Sequence, residues 1–174
     1  QIQGDLTDAE AVSAAVRGKD IVYHVAARSG AAGLWGSSKE FYKVNVTGTQ
    51  HVIDACLHHK IDQLIYTSTP SVVFDEKDKE NVDESAPYST DFKSPYPESK
   101  AEAEKRVLEA AGQGLQTIVL RPHLIWGPED PFLPRIIERA GRLKKIGPAH
   151  TRVDTIYVDN AADAHLLESE NLFK

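Results

Sequence analysis

Short apolar segments alternate with longer amphipathic segments along this chain. The apolar segments are rich in Ile, Val, Leu and Tyr, and predict strands at 20–27, 64–69, 116–121 and 155–158, with the tail of another strand at 1–6. The segments between them predict helices at about 7–16, 38–59, 134–142 and 160–169, and a further one from 95 to about 112–114. Because strands that alternate with helices pair through crossovers, the pattern predicts an α/β fold with a parallel sheet and helices on both faces. The charged segment 75–80 is expected to be a solvated loop.

The helix that begins near residue 95 carries a candidate acid/base pair. Ser94 is a plausible N-cap and Pro95 suits the first helical position, where the missing N–H costs nothing. Tyr96 and Lys100 are four residues apart and therefore share one face. A phenol has a pKa of about 10, and a cation one turn away is expected to lower it. Because any surface helix can carry this pair, its context has to decide whether it is functional.

Small and polar residues follow the predicted strands at their carboxyl ends, where ligands collect in parallel sheets. They are Asp5, then Ala26 and Ala27, then Ser68 and Thr69, then Pro122 and His123. The alanines would let a bulky ligand approach the backbone, and Asp5 could accept a hydrogen bond from an exocyclic amine. Thr69 could hold a substrate oxygen beside Tyr96. Each residue alone is explained by turn chemistry or packing, but together with the Tyr/Lys pair they indicate one site.

The composition excludes several classes of function. Of the 174 residues, 41% are hydrophobic and 26% are charged, which is typical of a globular protein. The net charge of −6 and the lack of a basic cluster argue against nucleic-acid binding. The single cysteine, Cys56, excludes an internal disulfide and is expected to serve in helix packing. With no apolar run of about 20 residues and no signal peptide, we expect a cytoplasmic protein without a membrane span. No metal site is expected.

Seven motifs occur in a fixed order, and together they carry a family resemblance. They are Gly4-Asp5-Leu6, His24-Val25-Ala26-Ala27, Asn45-Val46-Thr47-Gly48-Thr49, Tyr66-Thr67-Ser68-Thr69, Tyr96-x-x-x-Lys100, Arg121-Pro122-x-x-x-Trp126-Gly127-Pro128 and Asp154-Thr155-Ile156-Tyr157-Val158-Asp159-Asn160. In these motifs the chain resembles an extended short-chain dehydrogenase/reductase, most of all the 3β-hydroxysteroid dehydrogenase branch. The segments 66–72 and 124–128 are also similar to the bacterial 2-alkyl-3-oxoalkanoate reductases of olefin biosynthesis.

The resemblance implies a Rossmann-type, doubly wound domain that binds NAD or NADP and interconverts a secondary alcohol and a ketone. It places catalysis on Thr69, Tyr96 and Lys100, with Tyr96 as the acid/base and Lys100 lowering its pKa while holding the nicotinamide ribose. Asp5 and Leu6 would flank the adenine, and Asn45 would lie near the active site. The full cofactor set implied is Asp5, Leu6, Val25, Ala26, Ala27, Asn45, Thr67, Tyr96, Lys100, Pro122 and His123.

The glycine-rich turn that normally receives the pyrophosphate is not found in its expected place. The segment 30–36 has glycines at suitable spacing, but no acidic residue ends a strand about 20 positions later, so it is interpreted as a substrate-edge loop carrying Trp35. We therefore expect residues 1–174 to form a single Rossmann-type domain seen without its first β-α units, on the order of 60 residues. A C-terminal substrate region would be missing as well.

Three functions fit this pattern. The first is an oxidoreductase for a small apolar β-hydroxy or β-oxo substrate, of the 2-alkyl-3-oxoalkanoate or 3β-hydroxysteroid type. Trp35 and Trp126 could contact such a substrate, although tryptophans more often belong to a core. The second is a nucleotide-sugar epimerase or dehydratase that uses the same Tyr/Lys pair. The third is a non-catalytic cofactor-binding protein, which the intact Thr69, Tyr96 and Lys100 argue against. A homodimer is possible in each case.

Overall fold

The computed structural model describes residues 1–29, 37–130, 132–142 and 152–171. Its helices are α1 (Ala9–Val16), α2 (Ser38–Phe41), α3 (Gly48–His59), α4 (Pro95–Ala110), α5 (Phe132–Arg139) and α6 (Val158–Asn171). Its strands are β1 (Ile21–His24), β2 (Gln63–Thr67), β3 (Gln116–Leu120), β4 (Leu124–Trp126) and β5 (Thr155–Tyr157). A π-helical turn, Tyr42–Thr47, joins α2 to α3, and a 3₁₀ turn, Pro70–Val73, follows β2.

Strands β1, β2 and β3 form a parallel sheet in chain order. Ile21 lies opposite Gln63, which in turn lies opposite Gln116. Strands β4 and β5 form a second parallel pair, with Leu124 opposite Thr155. Since every paired strand is parallel and helices separate most of the strands, the predicted α/β class is confirmed. The three carboxyl ends of the larger sheet meet at one edge.

Side chains from α1, α3, α4 and β2 share one hydrophobic core. Residues 63–66 of β2 are buried on both faces of the sheet, as expected for a central parallel strand. Helix α3 contributes Ile53 and Cys56, and α4 contributes Ala103 and Val107. Cys56 has no solvent exposure, so its predicted role in helix packing is confirmed.

Local sequence signals set the ends of two helices. Asp8 caps α1 by accepting hydrogen bonds from the backbone N–H groups of Glu10 and Ala11. Gly18 follows with a φ of +69°, a conformation that glycine adopts without strain. Ser94 takes the N-cap position of α4 and Pro95 its first helical position, as the sequence predicts.

Three predictions of local structure need correction, and one strand was not predicted. Residues 1–6 are not a strand: Asp5 instead accepts from the N–H of Thr7 and, through its carbonyl, from that of Asp8. The strand predicted at 20–27 ends at His24 and is not buried on both faces, because β1 lies at the sheet edge and leaves Tyr23 38% exposed.

Strand β4 was not predicted, since three residues carry no readable period. Helix α5 begins at Phe132, two residues before its predicted start.

Candidate active site

The ends of the three parallel strands bring the predicted site residues to one edge. Val25 and Ala26 are exposed directly after β1, and Ala27 is half-buried. Ser68 follows β2, and its N–H donates to the carbonyl of Leu120 over 2.6 Å, which locks the ends of β2 and β3 together. Pro122 and His123 follow β3, the first half-buried and the second exposed.

Tyr96 and Thr69 face each other at this edge. Tyr96 lies in the first turn of α4, and Thr69 is the N-cap of the 3₁₀ turn after β2. Burial raises the pKa of Tyr96, and a hydrogen bond with the Thr69 side chain lowers it by less. The lowered pKa predicted for Tyr96 is therefore wrong, and the phenol is kept protonated at neutral pH.

Lys100 is buried one turn further along α4. Its Nζ donates to the carbonyl of Thr67 over 2.7 Å and lies 4.0 Å from the centre of the Tyr66 ring. Burial lowers the pKa of Lys100 to about 7, although the charge of Glu104 raises it. The ammonium group is thus held by a backbone carbonyl and an aromatic face.

Asn45 connects the loop after β1 to helix α4. Its Oδ1 accepts from the N–H of Arg28 over 2.7 Å, and its Nδ2 donates to the Arg28 carbonyl and to Ser99 Oγ. Both amide hydrogens are thereby used within the protein. Asn45 lies in the π-helical turn, a distortion that is frequent at functional sites.

Asp5 and Leu6 lie apart from the Tyr/Lys pair, beside the start of α3. Asp5 is exposed, and its pKa is lowered first by the N–H of Thr7. The carbonyl of Leu6 accepts from His51 Nδ1 over 2.9 Å. A Cβ on Gly48 would lie only 3.0 Å from Leu6 Cβ, so a larger residue here would require Leu6 to move. Within the described residues no hydrogen bond joins Asp5 or Leu6 to Tyr96 or Lys100.

A buried ion pair behind Lys100 was missed in the sequence. Glu104 is 1% exposed and accepts from Arg121 Nε over 3.1 Å, from the Tyr88 hydroxyl over 2.9 Å and from Ser68 Oγ. Arg121 follows β3, while Ser68 directly precedes Thr69. The sequence held one usable signal, because Glu104 is four residues after Lys100 and shares its helix face.

His165 was also missed, and it fixes the end of β2 to α6. Its Nδ1 lies 2.6 Å from the carbonyl of Ala161, which can only accept, so Nδ1 carries the proton. His165 Nε2 then accepts from Thr67 Oγ1 over 2.7 Å. The predicted cofactor residue Thr67 thus has its side chain bound to α6 and its carbonyl bound to Lys100. The two partners are 98 residues apart, so no local pattern indicates the contact.

Two cavities open beside the site. The smaller, of about 300 Å³, is lined by Tyr96, Ser71, Phe74 and Phe92 among others. The larger, of about 770 Å³, is lined by Phe74, Val82, Leu108, Arg121 and His123 among others. Trp126 is 39% exposed and stacks edge-on against Tyr157, whereas Trp35 and its loop 30–36 lie outside the described residues.

The described part of the chain contains no helix long and apolar enough to cross a membrane. In the same residues, no three His, Cys, Asp or Glu side chains are grouped so that they could hold a metal ion.

A parallel sheet with helices between its strands, and with polar residues collected at the strands' carboxyl ends, defines a Rossmann-type α/β protein. The solved structures agree. UDP-glucose 4-epimerase from Thermus thermophilus, in complex with NAD, superimposes with a TM-score of 0.81 at 29% identity, over 95% of this chain and 58% of the epimerase.

The family model of the 3-beta hydroxysteroid dehydrogenase/isomerase family matches residues 1–174. The chain is 48% identical to the 2-alkyl-3-oxoalkanoate reductase of Shewanella oneidensis, over 98% of its own length and 46% of the relative. It is 49% identical to that of Stenotrophomonas maltophilia, over 99% of its length and 53% of the relative. The chain therefore belongs to the 3-beta hydroxysteroid dehydrogenase/isomerase family, and it spans about half the length of these two relatives.

Proposed function

We propose that the whole protein is an NAD(P)-dependent reductase that interconverts a ketone and a secondary alcohol on a 2-alkyl-3-oxoalkanoate. The observation that carries the proposal is the arrangement of Tyr96, Thr69 and Lys100 at one sheet edge. The hydroxyl groups of Tyr96 and Thr69 face each other, and the Lys100 ammonium is buried one helical turn away. The two bacterial reductases, each nearly 50% identical to this chain, support the substrate class.

The side chains divide the work of the reaction. When bound, the nicotinamide supplies the hydride. The Tyr96 hydroxyl, kept protonated by burial, donates its proton to the substrate oxygen as that oxygen becomes an alkoxide. Thr69 holds the same oxygen by a hydrogen bond and aligns it with Tyr96. Lys100 holds a positive charge beside the developing negative charge, where a partly desolvated site makes it most effective.

The residues after β1 fit a dinucleotide. Val25 and Ala26 are exposed, and small side chains there leave the backbone open to ribose and phosphate. Pro122 and His123 stand at the matching position after β3, beside the place proposed for the nicotinamide. Asn45 would act through the loop at Arg28, which it holds, because its own polar atoms are bonded within the protein. Asp5 and Leu6 are proposed to flank the adenine from the side of α3.

The remaining parts of the proposal concern the whole protein. Residues 1–174 would belong to a single Rossmann-type domain, completed by a glycine-rich β-α unit and followed by a substrate region. The cavity at Tyr96, Phe74 and Phe92 would receive the substrate's alkyl chains. The buried, unpaired Cys56 is compatible with a reducing cytoplasm. A homodimer and the absence of nucleic-acid binding stay predictions.

A nucleotide-sugar epimerase is the second candidate, favoured by the likeness to the Thermus enzyme. The two functions differ in net chemistry. A reductase consumes one reduced cofactor per product, whereas an epimerase inverts a sugar carbon without net use of cofactor.

The test is to supply the complete protein with NADH or NADPH and a 2-alkyl-3-oxoalkanoate, or with NAD and UDP-glucose. We expect loss of reduced cofactor and formation of the hydroxy acid in the first mixture, with one cofactor preferred. Production of the epimeric sugar without ketone reduction would replace the proposal by the second candidate. Cofactor binding without either reaction would favour the non-catalytic alternative.

A further inference from the structure

Helix α4 carries a second buried charge that the proposed reaction does not use directly. Glu104 lies one turn beyond Lys100 and two turns beyond Tyr96, on the same side of the helix. At 1% exposure, it is buried like a residue of the core. A buried carboxylate is costly unless it is paired and hydrogen-bonded. Glu104 therefore needs donors within the protein.

Four donors from three other parts of the chain satisfy Glu104. Arg121, after β3, reaches it through Nε and Nη2 in a forked ion pair. The Tyr88 hydroxyl, from the segment before α4, donates over 2.9 Å. Ser68 Oγ, from the end of β2, donates to its other oxygen. Glu104 thus joins both neighbouring strand ends to α4 at the level of the catalytic residues.

Ser68, which donates to Glu104, lies in the chain between two residues of the candidate site. Ser68 precedes Thr69, and its N–H also donates to the Leu120 carbonyl. The carbonyl of Thr67, on the other side of Ser68, accepts from Lys100 Nζ. Three successive residues at the end of β2 therefore contact Lys100, Glu104 and Tyr96 in turn.

The charges around Lys100 leave Glu104 as its nearby counter-charge among the described residues. From β1, His24 is buried and its pKa is lowered to about 4 by burial and by Lys100, so it is neutral at pH 7. From β2, Tyr66 presents its ring and, with its pKa raised by burial, carries no charge. From α4 itself, Tyr96 is a neutral phenol, while Glu104 raises the pKa of Lys100 against the effect of burial. Arg121, after β3, faces Glu104.

We propose that Glu104 is a positioning residue: held by Arg121, Tyr88 and Ser68, its carboxylate keeps Lys100 protonated and fixes the turn that presents Thr69, without touching substrate or cofactor. This inference rests on the proposed reductase function. Activity that needs a charged Lys100 is present below the pKa of that lysine and is lost as the pH rises through it. Removing the Glu104 charge lowers this pKa, so the loss should begin at a lower pH.

The test compares pH profiles of kcat and kcat/KM for the complete wild-type protein and for Glu104→Gln. We expect the alkaline loss of activity to move down by about one pH unit in Glu104→Gln, because a charge one turn away in a partly desolvated site acts strongly. Glu104→Asp, which keeps the charge, should move the profile back towards that of the wild type. Glu102→Gln, on the same helix but in an exposed pair with Arg106, is the matched control and should leave it unchanged.

Arg121→Gln should move the alkaline loss of activity in the opposite direction. It removes the cation that competes for Glu104, so Lys100 should stay protonated to a higher pH. Shifts of opposite sign in Glu104→Gln and Arg121→Gln cannot come from general loosening of the fold. A rate that falls equally at every pH in Glu104→Gln, with no movement of the profile, would overturn the proposal.

Direct titration of Lys100 separates this inference from the proposed reaction. In protein labelled with ¹³C at lysine Cε, the Lys100 signal is identified by its loss in Lys100→Met. Its titration should move to lower pH in Glu104→Gln, or to higher pH in Arg121→Gln if the first variant does not fold. An unshifted titration would refute the link even in an active enzyme. A wild type that reduces no ketone would refute only the proposed reaction.

Discussion

Glu102 and Glu104 lie two residues apart on helix α4, yet their carboxylates have opposite surroundings. The side chain of Glu102 is 40% exposed and pairs with Arg106 one turn along the same helix. The side chain of Glu104 is 1% exposed and pairs with Arg121 from the end of another strand. Residues two apart on an α-helix point about 200° away from each other around its axis, so one glutamate lies in a surface pair and the other in a buried one.

Burial decides how much each of these two carboxylates contributes to stability. A surface ion pair is screened by water and contributes little, so Glu102 can be replaced at small cost. A buried carboxylate costs several kcal/mol to desolvate and is kept only with full pairing. Glu104 has that pairing, and two of its partners, Ser68 and Arg121, follow the strands whose ends carry the candidate site. The buried pair therefore ties stability to the geometry of the candidate site.

The largest expected effect tests this contrast directly. Glu104→Ala should lower the free energy of unfolding by about 3 kcal/mol, because it leaves Arg121 largely desolvated without its partner. Glu102→Ala, the matched variant, should lower it by less than about 1 kcal/mol. Urea unfolding of the complete protein measures both. Equal losses would mean that burial does not distinguish the two glutamates.

Among the described residues, His24 is a buried ionisable group without a counter-charge, in contrast to Glu104. His24 has its pKa lowered from 6.5 to about 4, chiefly by burial, and bonds Thr49 Oγ1 through Nε2. Between pH 6.5 and pH 4 the unfolded chain binds a proton that the folded chain does not, so stability falls as the pH falls through this window. The loss should reach about 3 kcal/mol.

The His24 prediction is measured as the free energy of unfolding against pH, for the wild type and for His24→Asn. Most of the loss between pH 6.5 and pH 4 should disappear in His24→Asn, after subtraction of the shared carboxylate contribution. His58→Asn, at an exposed position of α3, is the control and should keep the wild-type slope. The same slope in all three proteins would show that His24 charges freely in the fold.

The smallest effect concerns an exposed carboxylate whose value lies in hydrogen bonding. Asp8 caps α1 through the N–H groups of Glu10 and Ala11, so Asp8→Ala should cost about 1 kcal/mol of unfolding free energy. Asp78→Ala, in the exposed loop, should change it by no more than about 0.5 kcal/mol. Thermal unfolding compares the two, and a neutral Asp8→Ala would show that the cap does not hold α1.

Most helices and strands could be predicted because each leaves a repeating pattern of apolar residues within a short stretch of sequence. The apolar segments at β2 and β3 and the helix from Pro95 were predicted within a few residues, and so was the meeting of their ends at one edge. Residues 1–6 were mistaken for the end of a strand because so short a segment carries no clear period, and its apolar residues are only Ile2 and Leu6. The state of Tyr96 could not be predicted, since its pKa depends on burial, which helix spacing does not report.

The residues that surround the candidate site are held by contacts between distant parts of the chain, which a local sequence pattern does not reveal. Glu104 could have been suspected from its spacing to Lys100, but Arg121 and Ser68 as its partners could not. The contact of His165 with Thr67 joins α6 to β2 and leaves no local pattern. Family resemblance supplied roles for Thr69, Tyr96 and Lys100, whereas the structure adds what surrounds them.

Whether Tyr96 donates the proton is decided by kcat and cofactor affinity for Tyr96→Phe in the complete protein. Loss of the hydroxyl should lower kcat by about 10²- to 10⁴-fold, the usual contribution of a general acid, while the Kd for the reduced cofactor stays nearly unchanged. Tyr42→Phe, on the π-helical turn, is the control and should retain activity. A kcat for Tyr96→Phe like that of the wild type would contradict the assignment of Tyr96 as the proton donor.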